Sequence, residues 1–144
     1  MKKIVINACF GRFGLSYKAV MRYAEIKGFV LYPWFNHITR GVYKDRAVIG
    51  NPDILHHYSR VPLDSIPVDA DGNPDIGRGY KGFYVKEDIL RDDPALIQVV
   101  KEMGKEANDK FAELKIIEIP ENVNWEIEEY DGNEHVTEQH QTWS

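Results

Sequence analysis

The feature that most constrains this fold lies at its start. Ile4-Val5-Ile6-Asn7-Ala8 is a short run of β-branched and apolar residues that ends at a turn signal, as a buried strand does. Cys9-Phe10-Gly11-Arg12-Phe13-Gly14-Leu15-Ser16 follows, and its two glycines allow the backbone to turn sharply. Ser16 is a natural helix N-cap, and Ala19, Val20, Tyr23, Ala24 and Ile26 then repeat at helical spacing. Gly28 closes that helix at the usual C-terminal position. Phe29 to Phe35 is again apolar and aromatic, with Pro33 marking a strand end or edge. Strand, helix and strand within about 33 residues predict a βαβ unit with a right-handed crossover.

Regular patterning fades after Asn36. The stretch from 36 to 87 carries Pro52, Pro62, Pro67 and Pro74, and holds no helical period beyond a short turn around Pro52 to Tyr58. Asp69-Ala70-Asp71-Gly72-Asn73-Pro74 reads as a tight turn, and Gly82-Phe83-Tyr84-Val85 as a short strand. A segment of this kind is either a functional loop or a variable insertion. Order returns at Asp93, an N-cap with Pro94 at the first helical position. Leu96, Val99, Val100, Met103, Ala107 and Phe111 form the apolar stripe of the helix that follows. Lys115 to Ile119 is a strand stopped by Pro120. Val123, Trp125 and Ile127 alternate with Asn124, Glu126 and Glu128 as in a half-buried strand. Asp131-Gly132 is a turn, after which Asn133 caps a last helix presenting Val136, His140 and Trp143. The expected fold class is therefore α/β. One domain spans residues 1–144: a βαβ start, an irregular insertion-like segment at 36–87, a helix, a C-terminal strand pair and a short last helix.

Composition narrows the function. A chain of 144 residues with 43% hydrophobic and 28% charged residues is that of a packed domain rather than a disordered one. A net charge of −5 argues against a protein whose main task is holding a nucleic-acid backbone, which needs a basic face. One cysteine rules out an internal disulfide and fits a reducing compartment. The opening Met1-Lys2-Lys3 before Ile4-Val5-Ile6 starts like a secretion signal, but Asn7, the glycines and Arg12 break the apolar run. No stretch approaches the roughly 20 apolar residues of a membrane span. A cytoplasmic protein without membrane partners is expected.

The loop from Cys9 to Ser16 is the leading candidate for chemistry. Glycines and a helix start favour an anion, and Arg12 adds forked cationic donors. The alternative is a purely structural turn with Phe10 and Phe13 packed beneath it, and both readings stand. The loop lacks the three glycines of a dinucleotide fingerprint, the Gly-Lys-Ser/Thr ending of a P-loop, and an arginine six residues after Cys9. Cys9 gains a low thiol pKa if the helix start and Arg12 act on it, but no partner base is identifiable. His37, His56, His57, His135 and His140 fall into no metal-ligand spacing, so no metal is expected. Glu126, Glu128, Glu129, Asp131 and Glu134 read more simply as a solvated face than as an acid–base pair. Aromatic rings cluster near Arg12 and Arg40, and rings with arginine planes suit flat heterocycles. The candidate ligand-binding set is Asn7, Cys9, Phe10, Gly11, Arg12, Phe13, Gly14, Ser16, Trp34 and Arg40, with no catalytic residue and no cofactor assigned.

Ile4-Val5-Ile6-Asn7, Cys9-Phe10-Gly11, Phe13-Gly14-Leu15-Ser16, Arg91-Asp92-Asp93-Pro94-Ala95-Leu96, Ile117-Glu118-Ile119-Pro120 and Trp125-Glu126-Ile127-Glu128-Glu129-Tyr130-Asp131-Gly132 together resemble a family of small proteins of tailed bacteriophages and prophages. That family usually has glycine where this chain has Arg12, so the resemblance implies a charge here that is not general to the family. The resemblance implies a phage origin and a place in the bacterial host cytoplasm, and brings no activity with it. The leading expectation is a non-catalytic accessory protein that binds a host factor, such as a nucleotide-derived defence signal that it sequesters. The alternatives are an enzyme acting on a nucleotide or phosphorylated metabolite, and an interaction module that inhibits a host enzyme. Expected partners are thus a small nucleotide-like ligand or a host bacterial protein, without direct nucleic-acid binding. Trp34, Trp125 and Trp143 leave room for a homo-oligomer.

Overall fold

A computed structural model of the chain describes residues 1–37, 41–43, 57–62 and 82–138. In chain order these form β1 (Lys2–Asn7), α1 (Tyr17–Lys27), β2 (Tyr32–His37), β3 (Gly41–Tyr43), β4 (His57–Ser59), β5 (Gly82–Phe83), α2 (Val85–Asp88), α3 (Pro94–Met103), β6 (Leu114–Ile119), β7 (Trp125–Tyr130) and β8 (Asn133–Glu138). Helices and antiparallel strands share one small domain of the α/β class.

Local signals set the helix ends. The Ser16 hydroxyl accepts from the Ala19 amide at 3.2 Å, and Gly28 takes the left-handed conformation (φ 85°) that returns its amide to Ala24 and Glu25. The Asp93 carboxylate accepts from the Ala95 amide at 2.8 Å, with Pro94 at the first helical position. The same carboxylate accepts from the Tyr23 hydroxyl at 2.6 Å and pairs with Lys27 at 3.3 Å, tying the start of α3 to α1. Burial and then this hydrogen bond push the Tyr23 phenol well above its ordinary range. The α3 stripe stops earlier than the periodicity predicts. Gly104 (φ 57°, ψ −127°) ends the helix, a 3₁₀ turn covers Gly104–Ala107, and Phe111 leaves the stripe to stand half exposed.

The core joins β1, α1 and α3. Ile4, Val5, Val20, Leu96 and Val99 are wholly buried, each contributing about 1.5–3 kcal/mol of transfer free energy. β1 pairs antiparallel with β6, from Lys2 opposite Ile119 to Asn7 opposite Leu114. The other edge of β1 is closed by side chains and a loop. The Val5 amide donates to the Arg91 carbonyl (2.9 Å), the Arg91 guanidinium donates to the Val5 carbonyl (3.3 Å), and the Asn7 amide donates to the Glu134 carboxylate (2.8 Å). With both edges satisfied, β1 has no place for β2.

This corrects the expected βαβ unit. The order strand, helix, strand holds, but β2 belongs to a separate antiparallel sheet with order β3-β2-β4-β5. The middle segment thus supplies strands to that sheet, His57–Ser59 among them. The turn at Asp69–Pro74 lies outside the described residues. The expected last helix is also corrected. Asp131 (φ 50°) and Gly132 (φ 84°) both lie in the left-handed region, the pattern of a tight hairpin turn. The turn folds Asn133–Glu138 back as β8, with Val136 opposite Ile127, so Asn133 opens a strand instead of capping a helix. His140 and Trp143 lie outside the described residues. No helix among the described residues is long and apolar enough to cross a membrane.

Candidate functional site

The glycine turn is held from below by its own chain. The Arg12 amide donates to the Phe111 carbonyl (3.0 Å), the Ser16 amide to the Ala107 carbonyl (2.9 Å), and the Ser16 hydroxyl to the Glu106 carbonyl (2.6 Å). The glycines answer to this packing. A Cβ on Gly11 would overlap the Phe111 carbonyl oxygen, and one on Gly14 would lie 2.5 Å from an Asp109 carboxylate oxygen. Gly132, from the hairpin turn, sits so tightly on Gly11 that a Cβ there would overlap the Gly11 carbonyl. Bare backbone in this loop serves close approach of three segments of the same protein.

Asn7 stands at the centre of that junction and is wholly buried. Its side-chain amide donates to the carbonyls of Gly132 (2.8 Å) and Cys9 (3.1 Å), and its Oδ1 accepts from the Glu113 amide (2.8 Å). The Cys9 thiol, partly buried, donates to the same Oδ1 at 3.2 Å. Beside it Arg91 grips Glu134 through two bonds, Nη1 to Oε1 at 2.6 Å and Nη2 to Oε2 at 2.8 Å. The two side chains are only 10% and 2% exposed. The Arg91 guanidinium also lies 3.4 Å from the centre of the buried Phe13 ring. Burial alone raises the Glu134 carboxyl. Hydrogen bonds from Arg91 and the Asn7 amide, with the charges of Arg91 and Lys86, outweigh burial and hold it below the ordinary carboxylate range.

The outward face of the loop differs in kind. Phe10 is 70% exposed, not packed beneath the turn, and meets Tyr130 edge to face at 6.5 Å. Tyr130 is 75% exposed. On the other side the Arg12 guanidinium lies 5.2 Å from the centre of the half-exposed Phe111 ring, with the Lys110 ammonium at 5.9 Å. Arg12 is loosely paired with Asp109 at 4.0 Å. Tyr130 with Phe10 on one side and Arg12 with Phe111 on the other therefore form two exposed groups that flank the loop.

Of the residues singled out from sequence, Asn7, Cys9, Phe13, Gly14 and Ser16 build the support, Gly11 links support to surface, and Phe10 and Arg12 face solvent. Trp34 lies in β2, opposite His57 and in the separate sheet. Arg40 lies outside the described residues. Tyr130, Phe111, Lys110, Arg91 and Glu134 join the site from the other end of the chain. The Asp131-Gly132 turn was the one sequence signal that could have brought Tyr130 in. Among the described residues no three His, Cys, Asp or Glu side chains gather as a metal site. The chain matches no protein-family model, no curated protein and no solved structure.

Proposed function

We propose that this chain is a non-catalytic phage accessory protein that holds a host molecule against the outer face of its glycine turn, in the bacterial cytoplasm. The observation that carries the reading is the two exposed groups, Tyr130 with Phe10 and Arg12 with Phe111, that flank a loop whose backbone is fixed by hydrogen bonds on its inner side. Rings already oriented cost little entropy to use in binding. A flat heterocycle stacks on Phe111 or Phe10, and a phosphate takes the Arg12 guanidinium from its long contact with Asp109. A nucleotide-derived defence signal combines these two features, and the phage resemblance of the chain's ends supports a host origin for it.

A melting-temperature screen with nucleotides and cyclic nucleotides tests the reading. A binder should raise the melting temperature of the native chain and bind Arg12→Ala and Phe111→Ala about tenfold more weakly each. A screen in which no nucleotide shifts the melting temperature removes the nucleotide version.

One observation favours a second reading, a host protein as the bound factor. The amides of Arg12 and Ser16 are already bonded to Phe111 and Ala107, so the turn offers few backbone donors to a phosphate, whereas exposed rings beside an arginine suit a protein contact. Pull-down from host lysate that captures one protein with the native chain, and loses it with Phe10→Ala, would establish this version.

A further inference from the structure

We infer that residues 125–138 form an arm, locked to the body by Glu134, that opens as one unit and carries Tyr130 away from Phe10 when it does. The strands β7 and β8 pair only with each other among the described residues. Among the described residues the hydrophobic core cluster draws its side chains from β1, β4, β5, the helices and adjoining loops, with β6 packed against it, and none from the arm. Trp125, Ile127 and Val136 are only half buried. A few local polar bonds fasten the arm, beside the close packing of Gly132 on Gly11. The Glu134 carboxylate receives two bonds from Arg91 and one from the Asn7 amide, and the Gly132 carbonyl receives one from the Asn7 side chain. Lys86 adds an exposed contact to Glu129 at 3.5 Å.

The body keeps its own structure without the arm. Arg91 stays fixed to Val5 and Phe13, and Asn7 stays fixed to Cys9 and Glu113. Opening therefore separates two bodies at one seam and does not unravel the core. Thr137 Oγ1, on the arm, is the buried side-chain polar atom without a partner among the described residues, as expected of an element less completely satisfied than the core. Such polar-held elements open below the free energy of global unfolding. The consequence for binding rests on the proposed function, since Tyr130 belongs to one of the two ring groups. The arm itself does not depend on it.

Hydrogen–deuterium exchange of the full chain, with no ligand added, tests the inference. In the native protein, peptides within 125–138 should exchange together and faster than those of β1, α1 and α3. Glu134→Gln, which removes the charge but keeps the size, should accelerate the arm by about a hundredfold and leave the core within about threefold. Arm and core exchanging at one common rate in the native chain would overturn the inference without requiring any variant to fold. Equal acceleration of both by Glu134→Gln, or no change in the arm, would do the same. Failure of the nucleotide or host-protein screens leaves these rates untouched, so the two readings fail separately.

Discussion

The core and the C-terminal arm are both small antiparallel or helical elements, yet they are held by different forces. β1, α1 and α3 meet through wholly buried aliphatic side chains, Val5, Val20, Leu96 and Val99. Among the described residues the β7–β8 arm adds no side chain to that cluster, and it is fastened by a buried ion pair and two bonds from Asn7. Apolar contact is non-directional and tolerates small shifts. The Glu134 seam is directional, and removing one partner leaves the other buried and uncompensated. The core therefore should fail globally, and the arm alone.

The largest effect that can break this contrast is expected at Leu96. Leu96→Ala removes a fully buried side chain and should cost about 4 kcal/mol of global stability, read as a lower urea midpoint for every probe. Glu134→Ala comes next. It should lower the free energy of arm opening by about 3 kcal/mol, seen as proteolytic cleavage confined to residues 120–138 while the main urea transition moves little. A main transition displaced as far as in Leu96→Ala would place the arm within the core's cooperative unit.

Acid sharpens the comparison. Burial raises Glu134, but Arg91 and the Asn7 amide hold its folded carboxyl below the ordinary value, so its stabilisation is present above the ordinary carboxylate range and lost as pH falls through the depressed folded value. Asp93 behaves likewise. Burial raises it, and Tyr23, the Ala95 amide and Lys27 more than offset this, so acid also weakens the start of α3. As pH falls through the depressed folded value the arm should open first, since the core retains its apolar contacts, and exchange rates across a pH series would show that order. The smallest effect is local. Ser16→Ala removes the N-cap of α1 and its bond to Glu106, and should lower global stability by about 1 kcal/mol in urea denaturation.

Legibility followed sequence distance. Ser16, Gly28, Asp93 and Pro94 act on neighbours within a turn, so the limits of α1 and the start of α3 could be read directly. The alternation of Trp125 and Ile127 with Glu126 and Glu128 likewise reported β7. Asn133 misled because asparagine both caps helices and follows hairpin turns, and the backbone of Asp131 and Gly132 decided between them. The partner of β1 was hidden, because an apolar run does not say which distant strand it meets. The seam was hidden most deeply, since Asn7 and Glu134 are 127 positions apart and Glu134 looked like one more acid in a solvated run. The glycine turn was legible as a turn, but which side faces solvent was not, as that depends on the segment from Ala107 to Phe111 lying beneath it.

The central claim, that the exposed Tyr130–Phe10 and Arg12–Phe111 groups flanking the glycine turn are a binding surface, is tested most directly by native mass spectrometry. The native chain and its Arg12→Ala variant are each mixed with a bacterial nucleotide and cyclic-nucleotide extract. The account predicts extra mass of one bound small molecule on the native chain and its loss from the variant. Equal extra mass on both chains, or none on either, would contradict Arg12 and its rings as the site of a small-molecule ligand.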